Sequence, residues 1–362
     1  MDLRSTLLNA LHASRLHRLL PNGTLGRGAI LMLHHVRPEP VNAFLPNKGL
    51  SVTPEFLDAV LAHLTRQGFD LVDLDTAHDR LLADPAGRSG APPFIAITLD
   101  DGYRNNRTHA LPVFERYSAP HTIYVATQLS DGDACIWWEV IERALQSAES
   151  LVLPAPLAGT VSTKTAADKQ RVFQRVLGVI ETIHPYDVPD FVARIAEQAD
   201  VDTTSVCREL VMGWDEVAEI ARHPLVTIGG HTITHPRLTG LDADDARREI
   251  DTSLDVIGER IGARPRHFSY PYGSAVSAGP REFEIARDLD ITTAVTTRKG
   301  VLTASSASNL TSLPRLSLNG HFQDLATVDV LVSGIPTGVA NSVAKVRDLA
   351  ARGMRNLAGT RA

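Results

Sequence analysis

The chain has 362 residues, of which 43% are hydrophobic and 22% charged, a globular composition that excludes a disordered chain, a collagen-like chain and a coiled coil. Lys and Arg total 36 against 42 Asp and Glu, and the net charge of -6 argues against a broad nucleic-acid-binding surface. No apolar run reaches the ~18 residues of a membrane-spanning helix.

Residues 1–27 lack the apolar core and cleavage site of a secretory signal. Leu3, Leu7, Ala10 and Leu11 recur at helical spacing and predict a short amphipathic helix packed on the body. Arg4, Arg15 and Arg18 flank the leucines and leave a peripheral membrane contact open. Gly28 to Val36 reads as a buried strand. Thr53-Pro54-Glu55 starts a helix with a capping hydroxyl, a first-position proline and an acid, and Gly68 stands at its stop. Leu71 to Leu74 reads as strand. Residues 84–93, with Pro85, Gly87 and Gly90, read as loop.

Phe94 to Leu99 is a buried strand ending in Asp100-Asp101-Gly102. Helical pattern follows to about Tyr117, then strand at Thr122 to Val125. This strand–helix–strand order predicts a parallel α/β arrangement. From about 131 to 211 the rhythm breaks into helical pattern, read as an insertion over one face of a domain spanning 28–334. The rhythm resumes with a helix near Trp214, a strand at Val226 to Gly229 and a helix from Asp242 to Ile261. A strand at His267 to Tyr270, a helix at Arg281 to Leu289 and a strand at Thr292 to Val295 follow. Leu313 to Leu318 is the last strand and Asp324 to Val332 the last helix. Residues 335–362 read as a basic tail with Lys345, Arg347, Arg352, Arg355 and Arg361. The cysteines, Cys135 and Cys207, form no metal-binding set and suit a reducing compartment. With no signal sequence, a cytoplasmic location is expected.

Three segments carry chemistry. Asp100-Asp101-Gly102 sets two carboxylates at a strand end, where neighbours point to opposite faces and glycine allows a sharp turn. His231-Thr232-Ile233-Thr234-His235 sets two imidazoles four apart, able to share one side, before Pro236 stops a helix. Two histidines and one aspartate make a three-ligand site that leaves a position open for water. Phe268-Ser269-Tyr270-Pro271-Tyr272-Gly273 follows a strand and offers a backbone N–H near Tyr272, with aromatic walls.

Together these segments resemble the polysaccharide deacetylase family, also called the NodB-homology domain or carbohydrate esterase family four. Its Thr-Phe-Asp-Asp, His-Ser/Thr-x-x-His and Pro-Tyr-Gly motifs are similar to Thr98-Leu99-Asp100-Asp101, His231 to His235 and Pro271-Tyr272-Gly273. The resemblance covers roughly Ile30 to Leu318. It implies an α/β fold, a distorted (β/α)7-type barrel, with the site at the carboxyl ends of its strands. It further implies a divalent metal, commonly zinc, on Asp101, His231 and His235, with Asp100 as general base and the Tyr272 N–H as an oxyanion donor beside Pro271.

Two positions depart from the family pattern. Ser269 stands where the family often has arginine, and Arg315 is the candidate to supply that charge beside Asp100. Asn319 stands where the family's last motif has an acid histidine, and His321 is out of register. Leu33-His34-His35-Val36 resembles the amino-terminal segment that supplies this histidine in circularly permuted members, so His34 is the candidate acid and His35 a structural residue. Trp137 and Trp138 open the insertion, one to pack and the other to line a groove, with Trp138 a candidate substrate contact. Phe44, Pro46 and Asn47 are placed at the same mouth, while Trp214 is assigned to the core.

The resemblance implies a metal-dependent hydrolase removing N-acetyl groups from amino sugars in an oligo- or polysaccharide, of chitooligosaccharide or exopolysaccharide type. An amidohydrolase of the same fold acting on a small non-sugar amide is one alternative, and a non-catalytic glycan-binding relative another.

Overall fold

The computed structural model describes residues 26–337, Ala86 excepted. The amino-terminal helix and the basic tail expected from the sequence lie almost wholly outside the described residues. No helix among the described residues is long and apolar enough to cross a membrane.

The strands are β1 (Gly28–Leu33), β2 (His35–Val36), β3 (Ser51–Val52), β4 (Asp70–Val72), β5 (Phe94–Leu99) and β6 (His121–Val125). After them come β7 (Ser150–Val152), β8 (Thr160–Ser162), β9 (Val226–Gly230), β10 (His267–Ser269), β11 (Thr293–Lys299) and β12 (Leu313–Ser317). Seven of them close a parallel ring in the order β1, β5, β6, β9, β10, β11, β12. Closure falls on β1, which pairs β5 over its whole length and meets β12 at Leu31–Leu316 and Met32–Ser317. β4 adds to the first half of β5. The architecture is the (β/α)7-type barrel.

Side-chain alternation sorts the ring. Ala29, Leu31 and Leu33 of β1 and Ile95, Ile97 and Leu99 of β5 pack in one core cluster with Leu57, Val60, Leu61 and Leu64 of the helix Pro54–Arg66. Ile30, Phe94 and Ala96 belong to a different cluster with Tyr124, Val295 and Leu313. Each fully buried leucine contributes about 2 kcal/mol. The first helix starts where its sequence predicts, with Thr53 Oγ1 accepting from the Phe56 N–H at 3.1 Å.

Two expectations are corrected. The strand expected to reach Leu74 stops at Val72, because Asp73 caps a new helix, Leu74–Ala83, by accepting from the Thr76 N–H at 2.7 Å. The stretch 131–211 is not helical throughout. Between the helices Trp137–Ser147 and Ala166–Ile180 it holds an antiparallel pair, β7 with β8, of three residues each, too short to leave a period. The helices Val188–Ala196 and Thr203–Leu210 complete this stretch. Its apolar residues form their own cluster, which also takes in Phe44 and Tyr103.

Candidate active site

Strand parity delivers Asp100. Thr98 shares its face of the chain, and both meet Arg315, which is 1% exposed. The guanidinium holds Asp100 as a fork, Nη1 to Oδ1 at 2.8 Å and Nη2 to Oδ2 at 2.7 Å. Nη2 also reaches Ser269 Oγ at 3.1 Å, and Nε donates to the Thr296 carbonyl at 2.9 Å. The charge expected at position 269 therefore arrives from β12 and touches the serine that stands there. Burial opposes ionisation of Asp100, but the Arg315 charge outweighs it and holds the carboxyl below its ordinary range.

Alternation alone would turn Asp101 away from Asp100. Asp101 instead adopts φ +72°, a left-handed conformation that turns the chain and brings its carboxylate to the same site. The two histidines also meet without a helical turn. Their segment is a loop in which Thr232 has φ +71° and His235 φ +58°, closed by Thr232 Oγ1 accepting from the His235 N–H at 3.0 Å. Of the eight non-glycine residues with positive φ among the described residues, Asp101, Thr232, His235 and Tyr272 are at this site. Such a concentration of backbone strain is expected where geometry serves chemistry.

One ligand atom each from Asp101, His231 and His235 falls within 4.8 Å of the others. His231 Nδ1 lies 2.6 Å from the Ser269 carbonyl, an acceptor only, so Nδ1 carries the hydrogen and Nε2 presents a lone pair. Asp101 Oδ1 is 3.4 Å from His231 Nε2 and 3.3 Å from His235 Nε2. Asp101 Oδ1 is buried and makes no well-formed hydrogen bond. Lone pairs converging on a buried point fit a cation, and two imidazoles with one carboxylate are a zinc donor set with an open position.

His34 Nε2 lies 3.8 Å from Asp100 Oδ2. His35 is fully buried, stacked on Tyr103 with ring centres 3.5 Å apart and bonded to Glu139 and Asn105. His34, Asp100, Asp101, His231, His235 and Tyr272 line one cavity of about 430 Å³. Pro46, Asn47 and His321 line it too, whereas Phe44 packs in the core of the 131–211 stretch. Trp137 and Trp138 both wall the cavity, and both indole N–H groups are held. Trp137 donates to Tyr272 Oη at 2.8 Å and Trp138 to Tyr103 Oη at 2.9 Å. The expected division, one packed and one lining, does not occur, because both rings do both. Tyr272 has φ +60°, and its backbone N–H has no partner among the described residues. Pro271, just before it, accepts from the Gly273 N–H at 2.7 Å. Trp214 packs on the barrel core while its Nε1 donates to Asp131 at 2.7 Å.

Residues 174–294 match the family model described as polysaccharide deacetylase. Over that stretch, about a third of its length, the chain is similar to the polysaccharide deacetylase family. That match takes in His231, His235 and Pro271-Tyr272, while His34, Asp100, Asp101 and Arg315 lie outside it. Solved structures agree on the fold. Streptococcus pyogenes deacetylase PplD, in complex with acetate, is 17% identical, with a TM-score of 0.53 over 84% of this chain and 97% of that one. A de-N-acetylase from Aggregatibacter actinomycetemcomitans is 14% identical, with a TM-score of 0.52 over 84% of this chain and 99% of that one. IcaB from Ammonifex degensii is 16% identical, with a TM-score of 0.50 over 87% and 98%. No curated protein matches the chain.

One buried residue at the site has no warning in the sequence. Glu249, 2% exposed on the helix Ala243–Ile261, accepts from the N–H groups of Ile233 and Thr234, both at 2.9 Å. It also takes the Thr234 hydroxyl at 2.7 Å and the Tyr186 hydroxyl at 3.2 Å. It pins the loop between the two histidines, and nothing local marks it among the acids of an amphipathic helix. Glu249→Ala leaves two backbone donors without their acceptor and is expected to weaken divalent-metal binding about 10- to 100-fold. Competition with a chelating dye measures this. Glu249→Gln should recover part of the loss, since an amide oxygen still accepts from both N–H groups. An alanine variant with unchanged affinity would mean the loop holds itself.

Proposed function

We propose that this chain is a zinc-dependent deacetylase that hydrolyses the N-acetyl group of an amino sugar within an oligo- or polysaccharide, of chitooligosaccharide or exopolysaccharide type. The observation that carries the reading is the convergence of Asp101, His231 and His235 beside the Arg315-clamped Asp100 in one cavity.

Asp101, His231 and His235 would hold the metal, which when bound supplies Lewis-acid polarisation and a water that ionises near neutrality. Asp100 is the general base. Arg315 fixes its plane and keeps it ionised, so a carboxylate oxygen takes the proton as water adds to the amide carbon. The Tyr272 N–H is a donor for the oxygen of the tetrahedral intermediate. His34 protonates the leaving nitrogen as the carbon–nitrogen bond breaks, giving acetate and a free amine. Trp137, Trp138 and Tyr272 wall the cavity and exclude bulk water, with Trp138 bordering the sugar, whereas Pro271 is not part of the lining. Residues 131–211 act as an insertion that brings the two indoles to the site. Action on a glycan precursor in the cytoplasm is part of the same proposal.

The test is acetate release from N-acetylglucosamine oligomers by protein stripped with a chelator and then given zinc. Release only after zinc is restored, with one zinc per chain, is the expected result. No release from any oligomer, by protein holding one zinc, would move the assignment to another amide or to glycan binding without turnover.

A further inference from the structure

The catalytic cavity has a neighbour. A second cavity of about 540 Å³ shares Trp137, Trp138, Leu177, His235 and Tyr272 with it. We propose that this second cavity holds an apolar chain borne by the substrate saccharide, so that the enzyme acts on an amphiphilic, lipid-bearing amino sugar. The inference rests on the hydrolytic reading of the site.

Three observations support an apolar occupant. Leu129, Leu177, Ile180, Val188, Pro189 and Val276 line the space. Most of its polar side chains already have partners in the wall, the Glu181 carboxylate and His235 Nδ1 being the exceptions. Thr234 Oγ1 donates to Glu249 at 2.7 Å, Thr182 Oγ1 to the Val179 carbonyl at 2.9 Å, and Ser274 Oγ pairs with Ser277 Oγ at 2.8 Å. Arg237 turns its guanidinium to the Glu181 carbonyl. A further sugar ring would bury hydroxyls among groups already engaged, at a cost for each one left unmatched. An alkyl or prenyl chain has no such requirement. The volume is several times the roughly 150 Å³ that holds a benzene ring. Lastly, Val276 is 77% exposed and lies on the lining, so the apolar path continues to the surface.

The shared walls put the chain next to the reacting amide, and two attachments satisfy this chemistry: an apolar group on the sugar's anomeric oxygen, or a long acyl group on its nitrogen. The experiment separates them. Zinc-loaded protein is titrated with methyl and octyl N-acetylglucosaminide, the octyl compound kept below its micelle concentration. A parallel titration compares N-acetyl- with N-octanoylglucosamine. Tryptophan fluorescence reports binding, since Trp137 and Trp138 line the cavity. At up to about fourfold per buried methylene, one octyl series is expected to bind at least ~100-fold more tightly than its short partner, and that series identifies the attachment. Val188→Asp and Val276→Asp are each expected to reduce that ratio at least tenfold. Val276 is exposed enough that its variant tests the cavity without threatening the fold. Equal affinities in both series, or ratios untouched by both variants, overturn the proposal. If no compound is turned over, the hydrolytic reading fails separately, and the binding ratios still decide whether the cavity takes a chain.

Discussion

Asp100→Asn is expected to retain its bound divalent metal and to lose acetate release by roughly two to four orders of magnitude. The carboxamide keeps the shape of the side chain but has no basic oxygen to take the proton from water. None of the three converging ligand atoms belongs to Asp100, so metal content should not change. Stability should fall, because Arg315 is buried and Asp100 accepts both arms of its fork. Removing one partner of a buried pair leaves the other uncompensated, at a cost of about 3–5 kcal/mol. Metal analysis, thermal melting and acetate release on one preparation separate the effects. A variant that loses its metal, or that stays active, would show that the roles of Asp100 and Asp101 are exchanged or misassigned.

Arg315→Met is the second large effect, and here stability leads. Methionine fills part of the volume without charge, so Asp100 loses the buried guanidinium that holds both its oxygens. A loss of about 3–5 kcal/mol is expected, measured by denaturant unfolding of the zinc-loaded protein. The double variant Asp100→Asn with Arg315→Met discriminates between charge and packing. If the buried charge dominates, the double variant is more stable than Arg315→Met alone, because both halves of the pair are then neutral. If the double variant loses the sum of the two single losses, Arg315 matters through packing and its bonds to Thr296 and Ser269 instead. Both variants should be inactive, since neither positions an ionised base. Arg315→Lys keeps the charge but not the fork, and is expected to recover stability more than activity.

Much of the architecture is legible because a parallel barrel writes itself as apolar runs. Phe94 to Leu99 is predicted to the residue, since both faces are covered and no polar residue interrupts before Asp100. The convergence of Asp101, His231 and His235 is legible through motif spacing, although the means by which they meet is not. Propensity reserves positive φ for glycine, yet Asp101, Thr232, His235 and Tyr272 take it where tertiary contacts demand it. Glu249 was missed for a related reason. Its partners lie fifteen and sixteen residues back on another element, and only the assembled helix brings it under the loop. The β7–β8 pair escaped because three-residue strands leave no period.

A closed ring has no first strand and no last. β12 and β1 stand at opposite ends of the described barrel sequence, yet the Leu318 N–H donates to the Met32 carbonyl at 3.0 Å. Asn319 and His34, each just beyond one end of this pairing, are close in space while far apart in the chain. On the proposed reading, His34 supplies from β1 the proton donor that Asn319 cannot supply from the end of β12. Arg315 makes the same point across the interior, reaching Ser269 from a strand two places away. Position around the circumference, rather than order along the polypeptide, is what such a scaffold holds constant. Its chemistry is therefore free to be rewritten into new stretches of sequence, and searches that follow linear order will overlook relatives in which that has happened.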